Sequence, residues 1–354
     1  MHRRDALQAL AGSLGAAACA PATRLAGASP ANTSLGLVIY CFGLRQQLQK
    51  RQDAKADLFE PFRFLEFCRG LGAGGIQLPL AVRDLQYARS LRTRAEQWGM
   101  FVEGIVAPPR DPADLDRFEA EIRTAASAGT EVVRTVIIPG RRYEQFDSAA
   151  KFQEAVRLAR KSLQLAAPIL AKHRVRLAVE NHKDQRIAER IELFQQIGSE
   201  WIGACVDTGN DLALLEDPVE SIRAYAPWAL SVHLKDHAVA EYAEGFLVAD
   251  VPLGQGLLDL KTMVDLLRAS KPNAHFVLEL ITRDPLKVPC LTEKYWATFG
   301  DMPARTLART LRTIRAHAKA DLPRLNHLPL EKQVDIETRN IAASLAYARE
   351  SLRL

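Results

Sequence analysis

Eight short apolar runs punctuate this sequence, and each is followed by a longer stretch with polar and apolar residues at helical spacing. The runs are Leu35–Phe42, Gly75–Leu78, Phe101–Val106, Val132–Ile138, Arg176–Asn181, Gly203–Asp207, Leu230–Leu234 and His275–Leu280. Their starts lie about 25 to 45 residues apart, the length of one strand and one returning helix. Strands joined by helical crossovers pair in parallel. Eight such units predict an α/β protein whose sheet closes on itself, a (β/α)₈ barrel, rather than an open doubly wound sheet. No glycine-rich phosphate loop follows the first run, which weighs against a nucleotide-binding sheet. The intervening helices are readable from their apolar stripes, with Leu115, Phe118 and Ile122 on one and Leu260, Met263, Val264 and Leu267 on another.

The ends of the chain read differently. Arg3-Arg4 precedes an uncharged run, Ala6–Ala22, that is too short and too weakly apolar to span a membrane. A basic start, an apolar centre and the exit Ala20-Pro21-Ala22 predict a signal peptide over residues 1–22, of twin-arginine type, on a protein exported to the periplasm or beyond. Cys19 lies in a faint lipoprotein box. The barrel is expected over residues 33–320 and a C-terminal helical extension over 321–354. Within these, Ala304–Ala318 reads as the eighth helix. The stripe Ile341, Leu345, Ala348, Leu352 reads as a final helix that covers the barrel or meets a second copy of the chain in a homo-oligomer. Ile281–Met302, with two prolines, is too long for an ordinary connection and is expected to be a lid or a packing arm.

With 47 basic and 42 acidic residues the net charge is +5, and no block of like charge marks a nucleic-acid surface. The cysteines form no C-x-x-C pair, so neither a disulfide framework nor a thiolate metal site is expected.

The chemistry is expected at the ends of runs five to eight. They read Ala178-Val179-Glu180-Asn181-His182, Cys205-Val206-Asp207-Thr208-Gly209-Asn210, Ser231-Val232-His233-Leu234-Lys235 and Val277-Leu278-Glu279. Side chains alternate along a strand, so a parity that turns Glu180 inward also turns Ala178 inward. The same parity sets Cys205 behind Asp207, Ser231 behind His233 and Val277 behind Glu279. Taken singly, each of these polar residues reads as a strand-end or helix cap. At matching parity on four successive strands they aim at one point near the carboxyl end, where barrel enzymes carry their sites. Three carboxylates so placed repel one another unless one keeps its proton or a cation sits among them. Glu180, Asp207, His233 and Glu279 form an oxygen-rich set that suits one divalent ion, Mn²⁺, Mg²⁺, Co²⁺ or Zn²⁺.

The order Glu, Asp, His, Glu, with the phrases VENH, VDTGN, VHLKD and PLGQG (Pro252–Gly256), resembles the xylose-isomerase-like TIM-barrel superfamily over about Leu35 to Ala318. The resemblance implies a metal-dependent enzyme acting on a small sugar or polyol, with Glu180 and Glu279 as the acid–base pair. Removing a proton beside a carbonyl gives an enediolate. Isomerisation, epimerisation or the loss of a β-substituent, as in a dehydratase or lyase, then follows according to where the proton or leaving group goes. Asn210 stands where the family's endonucleases carry a further histidine ligand, and Asp250-Val251-Pro252 stands where they carry Asp-x-His. Those departures speak against a multinuclear site. Lys235 and His237 replace an arginine usual in the epimerases. Asn181, His182, Asn210, Lys235 and Arg283 are the expected substrate contacts, with Trp296 near Arg283 in the long loop. A non-catalytic periplasmic sugar-binding protein is the rival reading, although binding alone needs no acid–base pair.

Overall fold

The computed structural model describes residues 32–300 and 302–354. The expected signal segment 1–22 and Cys19 lie outside them. In chain order the strands are β1 (Gly36–Val38), β2 (Gly75–Leu78), β3 (Phe101–Ile105), β4 (Val132–Thr135), β5 (Arg176–Glu180), β6 (Ile202–Asp207), β7 (Ala229–Leu234), β8 (Asp236–Tyr242), β9 (Gly245–Val251), β10 (His275–Leu278) and β11 (Leu286–Val288). Strands β1 to β7 and β10 close a barrel in the order β1-β10-β7-β6-β5-β4-β3-β2, every pair parallel. This is the TIM barrel that the eight runs predict. The runs overshoot in places. Leu35–Phe42 contains only three strand residues before a 3-10 turn at Ile39–Phe42, and Val132–Ile138 ends as a strand at Thr135.

The barrel's lower interior is packed by one aromatic ring. Phe101 stacks on His275 at 3.9 Å between centroids, and a side chain at either Gly36 or Gly75 would strike the Phe101 ring. Glycine on two neighbouring strands is what admits the ring, so this end of the barrel is a plug rather than a pore.

Two features differ from expectation. First, β8, β9 and β11 form a three-stranded antiparallel sheet beside the barrel, in the order β11-β9-β8. It carries its own apolar cluster of Val239, Phe246, Val248, Val288, Tyr295, Phe299 and Ile314. The 281–302 segment is therefore a packing arm, because β11 and the buried Tyr295 and Phe299 tie it to this sheet. Trp296 joins it through Nε1, 2.9 Å from the Cys290 carbonyl.

Second, the eighth wall position is not filled by the helix expected there. Ala304–His317 packs on β8 and β9 instead. The last helix, Leu330–Ser351, lies against Gly43–Gln52, and its residues Ile341, Leu345, Ala348 and Leu352 join the barrel's main core. At its far end Arg268 of the Leu260–Ser270 helix donates to the Leu352 and Arg353 carbonyls at 3.0 and 2.7 Å. The expected boundary at 320 thus falls inside the fold, since residues beyond it complete the wall. Both stripes have helical period, and period alone does not say which stripe meets the barrel.

This closing helix carries a buried acid. Glu337 accepts from the Leu44 and Arg45 amides at 2.9 and 3.2 Å, at the start of the Gly43–Gln52 helix. Burial pushes its carboxyl up to about 7, against the pull of those amides. The folded protein therefore holds a proton that the unfolded chain has already released above the ordinary value of 4.5. That contribution to stability is complete below pH 4.5 and is lost as pH rises through 7. In chemical denaturation the wild type is expected to lose up to about 3 kcal/mol between pH 5 and pH 8 from this group, a loss absent in Glu337→Gln.

Candidate active site

The register brings the expected donors together. Asp207 pairs with His233 across β6 and β7, His233 pairs with Val277 on β10, and Glu180 pairs with Cys205. Glu279 follows the end of β10 and keeps the inward parity of Val277. One donor atom from each of Glu180, Asp207, His233 and Glu279 lies within 4.8 Å of all the others, and all four residues are buried. Cys205 lies within the same reach of Glu180 and His233, but burial raises its thiol and so disfavours a thiolate. The four described cysteines, Cys41, Cys68, Cys205 and Cys290, are free and buried. A hollow of about 600 Å³ at the opposite end, lined by Phe101, Arg176 and His275 among others, lies beneath the plug and away from these donors.

The chain itself supplies two cations to this cluster, and sequence reasoning missed one of them. Arg134, on β4 opposite Ala178, reaches Glu180 Oε2 with Nε at 2.6 Å and with Nη2. Lys235 stands between Asp207 Oδ2 at 2.8 Å and Glu279 Oε2 at 2.7 Å. Burial would raise Glu180, but Arg134 outweighs it and holds the carboxyl well below the usual range. Burial is likewise outweighed at Glu279 by Lys235 and His233, which keep it low. At Asp207 burial prevails and the carboxyl is raised in spite of Lys235. Before any proton or ion on His233 Nδ1 is counted, three carboxylates face two side-chain cations, so one negative charge remains. The expected mutual repulsion is thus partly relieved by protein groups.

The residues fit a metal on independent geometric grounds. Glu103 on β3 accepts from Ser231 at 2.7 Å, from Gln77 Nε2 at 2.9 Å and faces His275 at 3.0 Å. With its nitrogen on that carboxylate, the Gln77 amide turns its oxygen to His233 Nε2 at 2.7 Å. His233 Nε2 therefore carries the proton. Its Nδ1 points at Glu180 and Glu279, 3.4 Å from an oxygen of each, and makes no hydrogen bond. A bare lone pair facing two carboxylates calls for a cation. Burial works against a charged imidazole, but Cys205 and the two carboxylates outweigh it and raise His233. A divalent ion satisfies the same position, with the Gln77 contact orienting the ring as outer partners of ligating histidines do.

The expected substrate contacts divide. Asn210 lies at the centre, with Nδ2 3.1 Å from Glu180 Oε1 and its backbone amide on Asp207 Oδ1 at 2.9 Å. Lys235 pairs with Asp207 and Glu279 and not with Asp236, which instead gathers the amides of His237, Gly254, Gly256 and Leu258. Asn181 is spent structurally: its amide holds the Asp207 backbone at both N–H and carbonyl and reaches Asp211 at 3.0 Å. His182 Nδ1 lies 3.0 Å from the Gly140 carbonyl, and the ring is half-buried. Arg283 binds Asp250 at 3.3 Å, beside β9, and not any of the four donors. Lys183 was not expected. It is buried, its ammonium rests on Asn210 Oδ1, and burial together with Lys235 lowers it to about 8.

The barrel and its site define a class. The model of the xylose isomerase-like TIM barrel family matches residues 65–315, and the chain belongs to that family. Among curated proteins it is similar to a 3-oxo-isoapionate decarboxylase of Pectobacterium atrosepticum, 29% identical over 119 residues. That match takes in 33% of this chain and 43% of the relative, less than half its length. Among solved structures, D-psicose 3-epimerase from Clostridium cellulolyticum H10 with D-tagatose superposes with a TM-score of 0.57 at 14% identity, over 90% of this chain and 98% of that one. A family protein from Mycobacterium smegmatis in complex with magnesium gives 0.53 at 17%, over 79% and 99%. The 3-keto-D-glucoside 4-epimerase of E. coli gives 0.52 at 13%, over 80% and 100%. At these identities the likeness is one of fold. Among the described residues no helix is long and apolar enough to cross a membrane.

Proposed function

We propose that this chain is a metal-dependent, carbohydrate-modifying enzyme of the isomerase or epimerase type, which removes a proton from a carbon beside a sugar carbonyl. The observation that carries the reading is the state of the two glutamates. Glu180, at the end of β5, and Glu279, one residue past β10, converge on His233, and Arg134 and Lys235 favour their ionised forms. Glu180 uses both oxygens, one on Arg134 and one on Asn210. Glu279 Oε1 makes no hydrogen bond among the described residues, so it has the capacity to accept the substrate's proton. The C–H electron pair then moves onto the carbonyl oxygen, and Glu180, ionised at rest, acts as the acid of the pair on the other side once it has taken up a proton of its own. Lys235, beside Glu279, balances the charge that develops. A divalent ion held by Glu180, Asp207, His233 and Glu279 would polarise the carbonyl.

The decarboxylase relative favours a second outcome of similar electronics, in which a bond to carbon breaks and its electron pair enters the same enolate. The acid–base pair distinguishes both readings from a simple binding protein. Deuterium incorporation separates them. Mn²⁺-loaded protein incubated in D₂O with ketoses, inososes and 3-keto-glycosides is expected to place carbon-bound deuterium in at least one sugar, read by NMR. Binding of a sugar with no exchange and no new product in any of them would favour the binding protein.

A further inference from the structure

The cations at the barrel mouth are not equally occupied. Arg134 is matched by Glu180, Lys235 by Asp207 and Glu279, and Arg283 by Asp250. Lys183 is the exception. It is 6% exposed, and among the described residues no carboxylate forms an ion pair with it. Its acceptor is the neutral Asn210 Oδ1, an oxygen that also lies 3.4 Å from Lys235 Nζ. Two ammonium groups therefore converge on one amide oxygen, and only Lys235 has a carboxylate in contact with it. Asp207 and Asp250 attract Lys183 from longer range, but Asp207 is already paired with Lys235 and Asp250 is shared by His237 and Arg283. An ammonium has three donors, and a buried cation without an anion is costly.

We infer that Lys183 is the seat of a carboxylate carried by the substrate, which makes the substrate a keto-sugar acid rather than a neutral sugar. The inference rests on the reaction proposed above, and it names that reaction's substrate class. The position is suitable. Asn210 ties Lys183 to Glu180 through a single amide, so an anion on Lys183 stands within one sugar's length of the proposed acid–base pair. A phosphate fits less well. The Gly209 and Asn210 amides at the neighbouring turn are both given to Asp207 Oδ1 at 2.9 Å. A dianion would meet one ammonium and none of the backbone donors that usually cradle it.

The alternative is that Lys183 merely fastens the Asn210–Leu214 turn. Calorimetric titration of Mn²⁺-loaded protein with matched pairs, D-fructose against D-fructuronate and D-tagatose against D-tagaturonate, separates the two. The acid of at least one pair is expected to bind about tenfold or more tightly, an advantage that shrinks as salt is added. Lys183→Met should erase the advantage and leave the neutral ketose's affinity within about twofold, while Lys183→Arg should keep part of it. Equal binding of acid and ketose by the wild type would overturn the inference without any variant. So would a loss of both alike in Lys183→Met. Deuterium exchange read on the same samples keeps the two proposals apart. Acid-selective binding without exchange in any sugar sinks the reaction but leaves the carboxylate seat standing. Exchange without acid selectivity does the reverse.

Discussion

Glu279→Gln is expected to abolish carbon-proton exchange, lowering its rate by about 10²- to 10⁴-fold, the usual contribution of a positioned acid or base. The amide keeps an oxygen in place for a metal but cannot take a proton from carbon. It also loses the charged contact that Lys235 makes at 2.7 Å, so a smaller fall in metal affinity accompanies the fall in rate. Asp207→Ala is expected to show the opposite balance. It deletes a proposed ligand and frees the Gly209 and Asn210 amides that Asp207 Oδ1 accepts, so metal affinity falls more than in Glu279→Gln. Metal titration and exchange rate measured on the same two variants test this. Turnover unchanged in Glu279→Gln would remove Glu279 from the chemistry.

Arg134→Met is expected to have the largest effect on folding. It strips the guanidinium from Glu180, whose side chain is fully buried, and leaves an uncompensated carboxylate in the barrel's interior. Breaking a buried pair on one side costs about 3–5 kcal/mol. In metal-free protein the variant should lose that much in chemical denaturation. Added Mn²⁺ should restore a substantial part, because a divalent ion answers the same negative charge. Arg134→Met,Glu180→Met is expected to recover stability without metal, since neither partner is then stranded. A single Arg134→Met variant as stable as the wild type would mean that the pair is not what keeps Glu180 ionised.

How much of this was legible beforehand follows from the physics of each element. The barrel could be read because eight buried parallel strands leave eight apolar runs, and the four donors because strand parity carries directly into the closed sheet. Arg134, Glu103 and Gln77 were missed although each leaves a signal: a charged or amide side chain inside a run that ought to be wholly buried. Together they supply the countercharge to Glu180 and the contact that orients His233. Asn181 reads as a substrate contact, but its amide is given to the Asp207 backbone and Asp211, because sequence gives proximity to the site and not the direction of an amide. The β8–β9–β11 sheet was not seen, and the two C-terminal helices were exchanged, because a stripe marks a buried face without naming what buries it. Lys183 follows the VENH phrase directly, yet only the folded structure reveals that no carboxylate meets it.

The measurement that bears most directly on the four converging strand ends is a calorimetric titration of EDTA-treated, dialysed protein with Mn²⁺, repeated on His233→Ala. One saturable ion per chain is expected in the wild type, with binding greatly weakened in His233→Ala while circular dichroism shows the barrel intact. Two ions per chain, no saturable binding, or a site that survives the loss of His233 would contradict a single metal held by Glu180, Asp207, His233 and Glu279.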